Sequence, residues 1–182
     1  MSINSIFLAS MAMLSTAQLY ATTSAPLSQN NSEYCDVNIS PDDPLKFVEQ
    51  HVIHIPDTDN EVVRTYHVEQ KINGAKLCNG DSIISLNAYM VSVFNNHDGA
   101  ILGRYIFGTK NGDKIKANVT ANSQLKSGKK HADVQCTAQI TGGTGPYKAA
   151  SGDVHIITEV DWKTQHITAK HETLRIKLNT NC

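Results

Sequence analysis

From Lys46 to the C-terminus, apolar and polar residues take turns along short runs divided by turn residues. Over residues 113–125, Ile115, Ala117, Val119 and Ala121 fall on one face, while Lys116, Asn118, Thr120 and Asn122 fall on the other. Residues 131–140 repeat the pattern, with Val134, Cys136, Ala138 and Ile140 against Asp133, Gln135, Thr137 and Gln139. A period of two is the signature of a strand with one buried face. No stretch shows a helical period. Turn signals at Pro56-Asp57, Asn73-Gly74, Asn79-Gly80, 95–99, Asn111-Gly112, 127–130 and 141–152 divide the pattern into eight predicted strands. These cover residues 47–55, 61–72, 82–94, 100–109, 113–125, 131–140, 153–162 and 167–178. Asn111-Gly112 is the strongest hairpin signal, because both residues tolerate the positive φ of a type I′ turn.

Eight strands with mostly short connections predict an all-β fold, an antiparallel up-and-down barrel, since closure removes exposed edges. A β-sandwich is the alternative. The inward set also includes Ile84, Leu86, Ala88, Met90 and Phe94, then Val154, Ile156, Val160 and Trp162, and finally Leu174, Ile176 and Leu178. A barrel of this size either fills with side chains or holds one small ligand. The alanines leave room, whereas Trp162, Phe94 and Met90 fill it.

The run Thr141–Gly152 is the most specific stretch, with four glycines in twelve residues. Gly142, Gly143 and Gly145 permit a sharp irregular turn, and Pro146 sets the backbone after it. Tyr147 is placed to fold back as an apolar plug, and Gly152 to allow a bulge at the next strand. A structural turn is favoured over a phosphate cradle, because no helix pattern follows and the Gly-Lys-Ser/Thr ending is missing. The string Gly142-Gly143-Thr144-Gly145-x-Tyr147-x-x-Ala150-x-Gly152 resembles the G-G-[ST]-G-x-[FY] hairpin of plant dirigent proteins and allene oxide cyclases. The resemblance implies an eight-stranded antiparallel barrel, often oligomeric, with a ligand cavity at one mouth. This chain has Lys148 and Ser151 where the dirigent string carries arginines, so the phenol-coupling role is not carried over.

The N-terminus changes the picture. Residues 6–19 are apolar with small residues, and Ala21 and Ala25 follow. This reads as a secretory signal peptide over residues 1–21, with cleavage as late as 25, and not as a membrane span. Residues 22–45, rich in Ser, Thr, Asn and Pro, read as a flexible arm, leaving 46–182 as the barrel domain. A secreted or periplasmic location follows. The four cysteines lack C-x-x-C spacing, which favours disulfides over zinc. The expected bridges are Cys78–Cys182 and Cys35–Cys136. A formal net charge of −1 with scattered basic residues excludes a nucleic-acid binder.

Candidate chemistry is sparse. His51 and His54 sit on opposite strand faces, and His155, Glu159 and Asp161 face outward, so no metal is expected. No cofactor motif and no Ser-His-Asp or Cys-His pairing is legible. Glu172 and Lys170 share a face with Leu174 and Ile176. The reading sets them at the rim, where they are solvated; buried, the carboxyl would gain a raised pKa suited to a general base. Arg104 or Tyr105 would point inward according to register, and Trp162 completes the ligand-pocket candidates. Three functions fit. The first is a secreted, non-catalytic binding or interaction module for a small apolar ligand or a partner molecule. The second is an isomerase or cyclase acting on a lipophilic substrate, as the cyclase resemblance implies. The third is a homo-oligomeric structural or effector protein that uses Tyr89, Val91 and Val93 as its outer patch.

Overall fold

The computed structural model describes residues 34–40, 43–126 and 130–178. The expected leader, the first part of the arm and Cys182 lie outside these residues. The described chain forms nine strands: β1 (Tyr34–Asn38), β2 (Leu45–His54), β3 (Glu61–Lys76), β4 (Ser82–Asn95), β5 (Asp98–Thr109), β6 (Lys114–Leu125), β7 (Ala132–Gly143), β8 (Ser151–Asp161) and β9 (His166–Lys177). Successive strands from β2 to β9 pair antiparallel, and β9 returns to β2 through Lys46 opposite His166. The sheet therefore closes on itself as a barrel, and the sandwich alternative falls.

The ninth strand comes from the expected arm. Beyond His166 the outer edge of β9 has no β2 partner, and β1 takes it, pairing Tyr34–Asn38 with Lys177–Thr173. Cys35 and Val37 alternate into the core from this short run. Ile39 then donates its N–H to the Glu172 carbonyl at 3.0 Å.

Bulges move several residues from their expected places. Asn73-Gly74 is not a hairpin but part of an irregularity between Lys71 and Ala75, after which β3 runs on to Lys76. Asp43 fixes it by accepting the Asn73 backbone N–H at 3.1 Å. A register shift between Ile83 and Ser85 buries Ile83 and leaves Ile84 exposed, reversing the expectation for Ile84. The tight two-residue turn with positive φ at both residues is Asn96-His97 (51° and 70°), whereas at Asn111-Gly112 only Gly112 is positive.

One mouth is sealed. After Gly143 the chain makes a single 3-10 turn, Gly145–Tyr147, and the Tyr147 ring is fully buried. Its hydroxyl donates to Asp81 Oδ2 at 3.1 Å and accepts from Asn79 Nδ2 at 3.1 Å. This ties the β7–β8 connection to the β3–β4 turn. Gly143 and Gly152 allow the close approach. A Cβ on Gly143 would lie 1.9 Å from the Lys114 carbonyl, and one on Gly152 1.9 Å from the Arg175 carbonyl.

The disulfide at this mouth corrects both expected bridges. Cys35 on β1 is bonded to Cys78 in the β3–β4 turn, with Cα atoms 5.7 Å apart. That excludes Cys78–Cys182 and Cys35–Cys136. Cys136 is a buried free thiol on the inner face of β7. A bridge from β1 would have to pass through the packed core to reach it, whereas the β3–β4 turn lies at the same rim as β1.

Candidate functional site

Between the sealed mouth and the opposite one, the inward side chains enclose a chamber of about 40 Å³. That is room for a few water molecules. Its walls are Val68, Leu86, Ala88, Val134, Ile156 and Val160, drawn from several strands. Toward the second mouth stand Phe47, Tyr66, Met90, Trp162 and Ile167. Phe47, Met90 and Ile167 are only partly buried, so the outer wall is thin there. The physical cause is the seam: β2 leaves β9 after Lys46, and side chains rather than a backbone ladder cover the gap.

An aromatic cluster frames this mouth. Trp162 lies 5.9 Å from Phe47, 5.7 Å from Tyr66 and 4.9 Å from Phe94, ring centre to ring centre. Edge-on and tilted contacts of this kind are the favoured aromatic geometry. Arg64 enters from β3, its guanidinium 5.5 Å from the centre of the Trp162 ring. Burial pushes Arg64 below its ordinary pKa, with Tyr66 opposing.

The seam itself is closed by polar groups. Gln70 Nε2, from β3, donates to Glu172 Oε2 on β9 at 2.7 Å and to the Asp43 carbonyl at 3.1 Å. Glu172 is 2% exposed. Burial raises its carboxyl to about 7; the Gln70 bond opposes the shift and the Asp43 charge adds to it. Oε1 of Glu172 and Oε1 of Gln70 are buried with no hydrogen-bond partner among the described residues. Tyr105 and Cys136, which line the chamber, are hydrogen-bonded to each other. Burial is the main cause that raises the Tyr105 phenol and lifts the Cys136 thiol to about 11.

The sequence-predicted candidates divide. Tyr105 and Trp162 face the chamber, and Glu172 is buried beside it and not at a solvated rim. Lys170 is separated from Glu172 by a bulge: Ile157 pairs with His171 and Thr158 with Ala169, so Lys170 is looped out to solvent beside Glu159. Arg104 is not in the chamber wall, and its guanidinium reaches Asn118 at 3.5 Å on the outer face. Gly142, Gly143, Gly145, Tyr147 and Gly152 lie together at the sealed mouth. Among the described residues, no group of three or more His, Cys, Asp or Glu side chains is poised to hold a metal. Tyr89, Val91 and Val93 are exposed, and the register sets Val91 opposite Leu102 and Val93 opposite Val63, which in turn faces Ile53. Arg64 and Gln70 escaped the sequence reading, although alternation of Val62, Arg64, Tyr66, Val68, Gln70 and Ile72 along β3 carries the signal.

No family profile and no curated protein matches the chain. Among solved structures, the chain is similar to the pterocarpan synthase dirigent protein GePTS1, with a TM-score of 0.43 and 10% identity over 89% of this chain and 100% of that one.

Proposed function

We propose that the protein is an exported, disulfide-stapled β-barrel that binds a small apolar ligand in its chamber without converting it. The chamber carries the reading: an apolar lining behind an aromatic mouth, with an outer wall of partly buried side chains. Such pockets bind by burying apolar surface, and a few polar groups set orientation. Met90 is unbranched and Phe47 is half-buried, so rotation of these two side chains would enlarge the space. Export is supported by the Cys35–Cys78 bridge, which persists in oxidising compartments, and by the apolar leader-like run at residues 6–19.

A cyclase or isomerase would need its acid–base group against the ligand. Tyr105 and Cys136 line the wall there, but burial holds both in their neutral forms, and Gln70 engages Glu172 from the side. That geometry favours binding over proton transfer.

The test uses N-phenyl-1-naphthylamine, a neutral aromatic probe. Trp162 is the single tryptophan, so energy transfer from it reports occupancy of the chamber. Saturable binding is expected, weakened by about tenfold or more in Ala88→Leu, which fills the space. Absence of saturable binding, or an undiminished affinity in a folded Ala88→Leu variant, would overturn the reading.

A further inference from the structure

The aromatic mouth holds a buried cation with no counter-charge among the described residues. Arg64 is 8% exposed, lies on the inner face of β3, and forms no ion pair among the described residues. Its Nε has no hydrogen-bond partner there, and neither do Trp162 Nε1 and His97 Nδ1. All three are donors, or can be: an arginine N–H, an indole N–H and an imidazole nitrogen. A buried charge without a partner is costly, and buried polar groups are normally paired. The ring of Trp162 offers Arg64 its π face, which offsets part of that cost but supplies no acceptor.

Among the described residues, the acids near His97 are engaged elsewhere. Asp161 Oδ1 accepts the backbone N–H groups of Lys163 at 2.9 Å and Thr164 at 3.0 Å, holding the β8–β9 turn. Asp98 accepts the Leu125 N–H. His97 sits in the Asn96-His97 turn and senses Arg64, Asp98 and Asp161; burial first, then Arg64, hold it below the ordinary histidine range.

We infer that this mouth is an oxyanion site: Arg64, with the Trp162 indole N–H, receives a compact carboxylate or sulfonate whose apolar body lies in the chamber. The inference rests on the binding reading above and names the ligand class, an amphipathic organic anion. Trp162 belongs to both halves of the site, since its ring lines the chamber and stacks under Arg64. A planar guanidinium with fixed N–H directions is the side chain best suited to a two-oxygen acceptor.

The test pairs two probes with one apolar body: 8-anilinonaphthalene-1-sulfonate and neutral N-phenyl-1-naphthylamine. The oxidised protein is titrated with each at low salt, read by energy transfer from Trp162. The sulfonate is expected to bind about tenfold more tightly than the amine, one probe per chain, with the preference shrinking as salt rises. Arg64→Met is expected to abolish the preference while retaining the amine, and Arg64→Lys to restore part of it. Equal affinities in the unaltered protein, or a preference that survives Arg64→Met, would overturn the inference and leave the chamber reading intact. Failure of both probes would overturn the two together. A second measurement needs no variant. By NMR, sulfonate binding is expected to raise the pKa of His97, because a negative charge arrives beside it. An unmoved or lowered His97 titration at saturation would also overturn the oxyanion site.

Discussion

Replacing Glu172 by Gln should make this barrel more stable in alkaline solution and leave it almost unchanged in acid. The carboxyl is raised from 4.5 to about 7, chiefly by burial. The folded state thus holds a proton that the unfolded chain gives up near pH 4.5. The associated stability is complete below the unfolded value and is lost as pH rises through about 7. The shift corresponds to about 3 kcal/mol at pH 9. Burial sets the preference for the acid, and it outweighs the Gln70 hydrogen bond, which favours the carboxylate. A carboxylic acid and a primary amide can exchange two bonds, and only one is made here, from Gln70 Nε2 to Glu172 Oε2. Oε1 of each residue is left without a donor, so a proton on Glu172 supplies a donor to a site that has none. In the Glu172→Gln variant the new side-chain amide would supply the same donor at every pH. The assay is urea denaturation of the oxidised wild type and of Glu172→Gln, followed by Trp162 emission from pH 4 to pH 9. The difference between the two stabilities should be near zero at the acid end and grow to about 3 kcal/mol in favour of the variant by pH 9. Parallel pH profiles, or a gain confined to acid, would refute this account of the seam.

Other perturbations test the frame. Converting both Cys35 and Cys78 to Ser should cost about 4 kcal/mol, the chain-entropy worth of the loop they close, read as a lower urea midpoint; an unchanged midpoint would mean the bridge does not form. Gly152→Ala should cost more than about 2 kcal/mol, because φ is +139° and the new Cβ would sit 1.9 Å from the Arg175 carbonyl; a variant as stable as wild type would show that β8 and β9 are not so close. Cys136, buried with its thiol lifted to about 11, should resist iodoacetamide at about pH 8 until urea unfolds the chain. Peptide mapping that found Cys136 alkylated in the native protein would contradict its place in the core.

Strand identity was legible because it depends on local alternation. The apolar faces of β6 and β7 come straight from every second residue, and Val134, Cys136, Ala138 and Ile140 are buried as the pattern requires. Bulges defeated the same arithmetic elsewhere. One extra residue inverts every later side chain on a strand, which is why Ile84 turned outward and Lys170 parted from Glu172. Glu172 was found by its phase with Leu174 and Ile176, but its burial depended on β1, an element that looked like a loose arm. Gln70 and Asp43, which bond to each other on the β2–β3 side of the seam while Gln70 reaches across it to Glu172, lie 27 residues apart in the chain.

By itself, then, the order of residues determined an all-β chain of alternating strands, the glycine-dense bend after β7 and the inward faces of most strands. These follow from forces that act between neighbours along the chain: steric limits on φ and the two-sided pleat. Tertiary structure alone decided the pairing of Cys35 with Cys78, the seam between β2 and β9, and the setting of Arg64 over Trp162. Each of these depends on where distant strands meet in register, and on water being excluded from charges that the sequence shows only as letters on a face.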